Sequence, residues 1–257
     1  MVMKYKVMPE VVVDIAANLV GIRNGMREAV KRRPSSLPQR DPVLVAVSKT
    51  KSLAAVRQAY EAGQRHFGEN YLKELVMKST NPDMTVICPD IKWHYIGMFQ
   101  KKMASVLMRV TNLYMLETLT ASQEADAVNS RWKGTEPLRV MIQVNTSGEE
   151  SKSGASPEKC VDVSIHIYNK CPNLKLSGLM TIGSAGHDYS TGPNPDFELL
   201  WKCRTDVCNA LEIPMSDLDL SMGMSADYEE AIKAGSTSVR VGSNIFGARD
   251  YSQTSKT

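Results

Sequence analysis

The sequence predicts an α/β fold, a (β/α)8 (TIM) barrel preceded by an extra N-terminal helix. Three observations support this prediction. The chain has 257 residues, a usual size for such a barrel. Eight short apolar runs alternate with helical patterns, and strands separated by helices pair in parallel. No GxGxxG turn is present to mark the main alternative, a doubly wound open sheet.

The predicted elements follow in chain order. Residues 10–33 carry apolar residues at helical spacing, which predicts an amphipathic helix. We expect one domain over residues 1–257, with the barrel from about residue 43 to 250. The predicted strands cover residues 43–48, 65–67, 92–96, 112–116, 138–144, 174–180, 217–221 and 238–241. The helical patterns between them cover residues 52–62, 69–78, 100–109, 120–132, 156–169, 196–211 and 225–234.

Composition and charge exclude several classes of protein. A net charge of +3 without a basic stripe does not fit a protein that binds nucleic acid or an anionic membrane. Five cysteines without a CxxC pair give no zinc spacing and suit a reducing compartment. Glu10 and Asp14 argue against a signal peptide, and no apolar run has the length of a membrane span. We expect a cytoplasmic protein, with an atypical organelle signal as the alternative, and a monomer because no coiled-coil stripe is present.

The carboxyl ends of the strands form the active face of a (β/α)8 barrel, so residues that follow the strands are candidates for a site. Lys49 follows the first strand, in LVAVSKTKS. Partial desolvation at the mouth of a barrel lowers the pKa of an amine, as Schiff-base chemistry requires. The alternative is a solvated lysine at the start of a helix. This segment alone favours the alternative.

Asn70 follows the second strand, in HFGEN. It has two interpretations at this stage. It could be the N-cap of the next helix, since asparagine is a preferred capping residue. It could instead offer its side-chain amide to a ligand in the mouth of the barrel. The residue type alone favours the cap.

The seventh and eighth strands are followed by residues suited to a phosphate. Ser225 reads as a helix N-cap in SMGMSADYEEAI, and Gly242 and Ser243 follow the last strand in VRVGSNIFG. Many barrels bind phosphate with these two loops. Arg240 shares the strand alternation of Gly242, so it could point into the barrel, where an arginine must be paired or contact a ligand. Its alternative is a salt-bridged surface position.

A lysine after the first strand and a phosphate site across the barrel indicate two ligand classes. One is a sugar phosphate, as in a Schiff-base aldolase. The other is pyridoxal phosphate. The histidines of the predicted strands, His66 and His94, are interpreted as hydrogen-bonded core residues and not as catalytic bases.

Six motifs resemble those of the pyridoxal phosphate homeostasis proteins, which are single-domain barrels similar to the N-terminal domain of alanine racemase. They are AVSK, FGEN, IKWHYIG, LSGLMTIG, LSMGMSADYEEAI and VRVGSNIFGAR. The resemblance extends in register from about residue 43 to 250. It departs at IGMFQKKM, where Met98 replaces the usual histidine and Lys102-Met103 replaces Asn-Lys. A methionine at this position is interpreted as flexible packing.

The resemblance implies a protein that holds pyridoxal 5'-phosphate as a Schiff base on Lys49, with Asn70 near the ring. It implies that Arg240 faces the pyridine nitrogen. It further implies that the phosphate is held by Ser225, Gly242 and Ser243. The implied function is intracellular pyridoxal phosphate (vitamin B6) homeostasis without catalytic turnover. Apo forms of pyridoxal phosphate enzymes are the implied recipients.

Two observations agree with an absence of turnover. An arginine donates to the pyridine nitrogen and keeps it unprotonated, which makes a weak electron sink. Alanine racemase takes a second acid/base, a tyrosine, from an additional C-terminal domain, and this sequence stops at Thr257. No catalytic residue and no metal ligand is therefore predicted. The open alternatives are an amino-acid racemase-like enzyme on one barrel and a Schiff-base aldolase acting on a sugar phosphate.

Overall fold

The computed structural model describes residues 13–37 and 39–248 of the chain. Eight parallel strands close into a barrel in sequence order, from β1 to β8. They are Val43–Val47 (β1), His66–Glu69 (β2), Lys92–Tyr95 (β3), Leu113–Leu119 (β4), Leu138–Gln143 (β5), Leu174–Met180 (β6), Asp219–Ser221 (β7) and Ser238–Val241 (β8). The predicted fold class is therefore confirmed.

Ten α-helices lie in the described residues, most of them between consecutive strands. They are Ile15–Lys31 (α1), Leu53–Glu61 (α2), Leu72–Ser79 (α3), Pro82–Ile87 (α4), Ala104–Leu107 (α5), Ser122–Asn129 (α6), Pro157–Lys170 (α7), Pro195–Leu211 (α8), Tyr228–Lys233 (α9) and Ser243–Phe246 (α10). The parallel pairing of neighbouring strands requires crossover connections of this kind.

The barrel closes where β8 pairs with β1, and the N-terminal helix lies over that seam. Val45 of β1 pairs with Arg240 of β8. Helix α1 packs against α2, α9 and α10, which flank the two strands. Its buried face carries an apolar residue about every three or four positions: Ile15, Leu19, Ile22, Met26 and Ala29. The side-chain amide of Asn18 donates to the carbonyl of Ile245, at 3.0 Å, and fixes α1 against α10.

Two kinds of core result from the alternation of the strands. Side chains between strands and helices are apolar, such as Phe67, Trp93 and Leu116. The barrel interior includes polar residues instead, among them His94 and Arg240, each no more than 3% exposed. Polar groups buried in this way must be hydrogen-bonded, so the interior is where a structural network or a ligand site is expected.

The predicted strands all overlap observed ones, while several helix bounds differ. Helix α3 begins at Leu72 and not at residue 69, because β2 extends to Glu69. Helices α4 and α10 were not predicted. Residues 10–12 of the predicted first helix and residues 249–250 of the predicted barrel lie outside the described residues. Among the described helices, none combines the length and hydropathy needed to cross a membrane.

Candidate functional site

A cavity of about 320 Å³ opens at the carboxyl ends of the strands. Its wall brings together all six residues that the sequence singled out, from four different loops and one strand: Lys49, Asn70, Ser225, Arg240, Gly242 and Ser243. Apolar side chains complete the wall, including Val47, Ile96, Ile182 and Met224. A mostly apolar cavity with a few convergent polar groups is typical of a small-molecule site.

A larger cleft of about 710 Å³ lies at the opposite end of the barrel, at the start of β5, β6 and β7. An ion pair between Arg40 and Asp219 forms part of its wall. None of the six residues predicted from sequence lines this cleft. The amino ends of barrel strands contribute to stability more often than to function, so we assign the site to the smaller cavity.

The backbone on both sides of Lys49 is held by two side chains of α3, one buried and one partly buried. The carbonyl of Ser48 accepts a hydrogen bond from Lys78 Nζ, at 2.8 Å. The amide of Thr50 donates to Glu74 Oε1, at 2.8 Å. Thr50 has a φ of 62°, a left-handed conformation that is uncommon for a β-branched residue and requires such support. The strand therefore ends abruptly, and Lys49 lines the cavity.

A buried ion cluster lies beneath this turn. Lys78 Nζ is 2.7 Å from Glu69 Oε1 and 2.7 Å from Glu74 Oε1, and the Lys78 side chain is 1% exposed. Ser48 Oγ also donates to Glu69 Oε1, at 2.6 Å. Burial raises the pKa of Glu69 to about 7, because the nearby charge of Lys78 only partly offsets the loss of solvent. We call Ser48, Glu69, Glu74 and Lys78 the α3 clamp.

Asn70 is not the cap of the next helix, so that interpretation was wrong. Helix α3 begins at Leu72, and its N-cap position is Tyr71. The Asn70 side-chain oxygen, Oδ1, is buried without a hydrogen-bond partner among the described residues. Gly97 lies against the Asn70 carbonyl, where a Cβ would come within 1.9 Å of the oxygen. Glycine at this position therefore lets the two loops pack closely and fixes Asn70 at the cavity wall.

Ser225 has a different local role from the predicted one. Helix α9 begins at Tyr228 with Asp227 at its N-cap, so Ser225 is not the capping residue. Its Oγ instead accepts a hydrogen bond from the amide of Gly242, at 3.1 Å. The loops after β7 and β8 are joined by this contact. The Ser225 hydroxyl, which can still donate its own proton, therefore lies beside Gly242 and Ser243 on the cavity wall.

Gly242 and Ser243 lie at the junction of β8 and α10. A Cβ on Gly242 would lie 3.3 Å from the carbonyl oxygen of Val47, so the residue passes very close to β1. Ser243 is the first residue of α10, a helix of a single turn. A helix this short contributes individual amide donors and little dipole.

Arg240 points into the barrel, as the strand alternation predicted, and it is 3% exposed. Its guanidinium donates to Ser221 Oγ, at 2.6 Å, and to the carbonyl of Thr181, at 2.6 Å. Burial lowers its pKa, and the opposite charge of Glu117 counteracts that effect. The guanidinium remains a donor-only cation at the cavity wall.

The hydrogen bonds continue from Arg240 into the barrel. Ser221 Oγ donates to Glu117 Oε2, at 2.7 Å. Glu117 Oε1 is 2.6 Å from His94 Nδ1. His94 Nε2 is 2.8 Å from His66 Nδ1. Both histidines therefore contact other side chains of the barrel interior, in agreement with the interpretation of core residues.

Burial and the contacts between these residues act together on the pKa values of Glu117 and His66. Burial alone would raise the pKa of Glu117, yet the contacts from His94, Arg240 and Ser221 outweigh it, so the pKa is lowered. Burial, followed by the charge of His94, lowers the pKa of His66 to about 3. Glu117 is thus an ionised, fully buried carboxylate, and His66 is neutral near neutral pH.

Sequence reasoning missed Glu117 and the α3 clamp. Strand β4 was predicted to end at residue 116, but it extends to Leu119. Met115 is inside the barrel, and the period of two would have placed Glu117 inside as well. Met98, interpreted as a packing residue, is instead 58% exposed, so that interpretation was wrong.

Comparisons with known proteins show the family of the chain. The profile of the family described as "Alanine racemase, N-terminal domain" matches residues 25–250. The pyridoxal phosphate homeostasis protein of Homo sapiens is 53% identical over 242 residues, which are 93% of this chain and 88% of the relative. The protein of the same name from Schizosaccharomyces pombe is 46% identical over 211 residues, or 82% and 85% of the two chains.

Solved structures show the same fold. PipY of Synechococcus elongatus, determined with pyridoxal phosphate bound, has a TM-score of 0.70 and 27% identity, covering 91% of this chain and all of PipY (100%). Alanine racemase of Corynebacterium glutamicum has a TM-score of 0.65 and 16% identity, over 92% of this chain and 62% of the racemase. The chain therefore belongs to the alanine racemase N-terminal domain family and, within it, to the pyridoxal phosphate homeostasis proteins.

Proposed function

We propose that this protein binds pyridoxal 5'-phosphate in the cavity at the carboxyl ends of the strands, with Lys49 as the attachment residue. The single observation that carries the proposal is the convergence of the six predicted residues on one cavity of about 320 Å³. The names of the relatives and the pyridoxal phosphate complex of PipY support the same ligand.

The residues of the cavity fit this ligand. When bound, pyridoxal phosphate supplies an aldehyde that a lysine amine can capture reversibly. The Ser225 hydroxyl and the Ser243 amide suit a phosphate on one side. Gly242, whose own amide donates to Ser225 Oγ, has no side chain and lets the phosphate approach the backbone closely. The buried oxygen of Asn70, without a partner among the described residues, suits a donor on the ligand or an ordered water. Lys49 lines the same cavity.

Arg240 favours holding the cofactor over activating it. In our proposal its guanidinium faces the pyridine nitrogen and donates a hydrogen bond to it. A donor-only cation opposes protonation of that nitrogen, whereas a carboxylate would favour protonation and strengthen the electron sink. The role we propose is therefore intracellular pyridoxal phosphate (vitamin B6) homeostasis without catalytic turnover, with apo forms of pyridoxal phosphate enzymes as recipients.

Turnover of amino acids distinguishes this role from a racemase-like enzyme. The purified protein loaded with pyridoxal phosphate is incubated with single L-amino acids, and the D-enantiomer is measured by chiral chromatography. The carrier role predicts no D-enantiomer above a control without protein. Turnover that is lost in Lys49→Ala would assign the enzyme instead.

The attachment residue can be identified chemically. The protein is mixed with pyridoxal phosphate, reduced with borohydride and digested, and the modified lysines are found by mass spectrometry. We expect Lys49 to carry the label in the wild type and in Lys73→Ala, which removes an exposed lysine of α3. Equal labelling of many surface lysines, with none preferred, would contradict the proposal. Labelling of Lys49 by a sugar phosphate and not by pyridoxal phosphate would indicate the aldolase.

Location and assembly are part of the proposal. All five cysteines are free and buried, which suits the cytoplasm. We propose a monomer. Light scattering during size-exclusion chromatography should give a mass near 28.4 kDa. A mass of twice this value would contradict the monomer.

A further inference from the structure

A continuous chain of hydrogen bonds crosses the barrel interior from Arg240 at the cavity to His66. It passes through Ser221, Glu117 and His94, with distances of 2.6, 2.7, 2.6 and 2.8 Å between successive members. The members come from β8, β7, β4, β3 and β2. Ser221 thereby connects Arg240, at the cavity, to the carboxylate of Glu117, which is 0% exposed.

The direction of each hydrogen bond follows from the chemistry of its partners. Arg240 has donors only, so the Ser221 oxygen must accept from it and give its own proton to Glu117. An ionised carboxylate has acceptors only, so His94 must donate to Glu117 from Nδ1. The direction of the contact between His94 Nε2 and His66 Nδ1 depends on the protonation of the two rings and does not alter this. Donors therefore converge on Glu117 from both sides. A chain with this polarity fixes positions, and it does not conduct a proton past Glu117.

We propose that Glu117, acting through Ser221, is a positioning residue that holds the Arg240 guanidinium toward the ring of bound pyridoxal phosphate. This inference rests on the proposed function, and it assigns Glu117 and Ser221 a role in ligand affinity without contact with the ligand. Without Glu117 the guanidinium keeps the Thr181 carbonyl, but Ser221 is no longer held by a carboxylate, and no other buried carboxylate contacts this pair among the described residues. A buried cation without its partner reorients or recruits water.

A double-mutant cycle tests this coupling. The variants are Glu117→Gln, which keeps the shape and removes the charge, Ser221→Ala, which removes one hydroxyl, and the pair together. Ser164→Ala is the matched control, since this serine is also buried but donates to the Cys160 carbonyl within α7. The measurements are the dissociation constant for pyridoxal phosphate, the position of the absorption band of the bound ligand, and thermal stability.

We expect each single variant to weaken binding about tenfold, the effect of losing one hydrogen bond to a charged group. The double variant should weaken binding no more than the stronger single variant, because both act on Arg240 through one connection. The absorption band should shift in all three variants and not in Ser164→Ala. If Glu117→Gln does not fold, Ser221→Ala alone is expected to show the weaker binding and the shifted band.

Two results would overturn the inference. One is wild-type affinity and band position in folded Ser221→Ala and Glu117→Gln. The other is losses that multiply in the double variant, which would mean independent effects. Failure of the proposed function gives a different result, the absence of a bound band in the wild type, and the inference would fail with it.

Discussion

Among the single residues of the site, Asn70 is the one whose structural and ligand-binding interpretations can be distinguished. Its residue type favoured a helix cap, but the cap position belongs to Tyr71. The buried Oδ1 atom has no partner among the described residues, and an unpaired buried oxygen costs about 1–3 kcal/mol. A group that costs stability in the free protein is expected to contribute when a ligand is bound.

Replacing Asn70 should therefore weaken binding without loss of stability. For Asn70→Ala we expect severalfold weaker affinity for pyridoxal phosphate. The free energy of unfolding without ligand should not fall below that of the wild type, because the substitution removes an unpaired buried oxygen. Absorbance titration and urea unfolding measure the two quantities, with exposed Asn24→Ala as the control. If Asn70→Ala kept its affinity for pyridoxal phosphate but lost free energy of unfolding, the role of Asn70 would be structural and the prediction would be contradicted.

Glu69 predicts a dependence of stability on pH. Its pKa is raised from 4.5 to about 7 by burial, so the folded protein holds a proton that the unfolded chain releases. The stability from that proton is fully present below the unfolded pKa and is lost as pH rises through the folded pKa. Relative to Glu69→Gln, the wild type should lose about 1–3 kcal/mol of unfolding free energy across this range.

Urea unfolding of ligand-free protein at a series of pH values checks this slope. A difference between the two proteins that does not change with pH, or that grows in favour of the wild type as pH rises, would refute the raised pKa.

Glu117 is a residue near the site whose buried position was not predicted from the sequence. The six residues at the ends of strands were found because position after a barrel strand is itself informative. A glutamate after an apolar run suggests instead the end of a strand, since carboxylates are rarely buried alone. Its burial is stabilised by Ser221 and His94, which are distant in sequence, and by the charge of Arg240.

Helix α3 acts on the site at the scale of an element. It provides Lys78 and Glu74, which hold the peptides on either side of Lys49. Breaking a buried ion pair by removing one partner leaves uncompensated charge, at a cost of about 3–5 kcal/mol. Helix α3 is therefore part of the ring of helices around the barrel, and it also stabilises the turn that carries Lys49.

Replacement of Lys78 tests this link. We expect Lys78→Met to lower the free energy of unfolding by about 3–5 kcal/mol, and Lys73→Met on the exposed face of α3 to change it little. Further replacement of Glu69 and Glu74 by glutamine should recover part of the loss, because the charges are then removed together. Equal stability of the two single methionine variants in chemical denaturation would contradict the α3 clamp.

The elements missed by prediction were missed for identifiable reasons. Helix α4 has clear signals, an Asn81 side chain that caps Met84 and proline at the first helical position, but only six residues. It is too short for an amphipathic period to be recognised. Helix α10 is a single turn directly after a strand, and the Gly242 that precedes it is equally typical of a loop. The long, periodic elements were the predictable ones.

The barrel as a whole was predictable because its alternation repeats eight times. Each strand lies between a helix before it and a helix after it, so errors of a few residues at single elements leave the topology intact. Closure by the β8–β1 pairs was expected from the count of strands and is present. The contacts across the interior were not predictable, since they join residues up to 104 positions apart.

A cavity formed by four loops and a strand should couple ligand binding to global stability. Pyridoxal phosphate at 100 times its dissociation constant should raise the free energy of unfolding by about 2.7 kcal/mol, if it binds only the folded chain. Differential scanning fluorimetry with rising ligand concentration should show an increasing Tm. The increase should be absent or much smaller in Lys49→Ala. A Tm that is independent of pyridoxal phosphate in the wild type would contradict the coupling.

Capture of pyridoxal phosphate by Lys49 in this cavity is the step on which the proposed function depends. The most direct test is the near-visible absorption spectrum of the purified protein, with and without added pyridoxal phosphate, beside Lys49→Ala and the surface control Lys73→Ala. We expect a band of lysine-bound ligand in the wild type and the control, and no such band in Lys49→Ala. No band in the wild type with excess ligand, or the same band in Lys49→Ala, would contradict it.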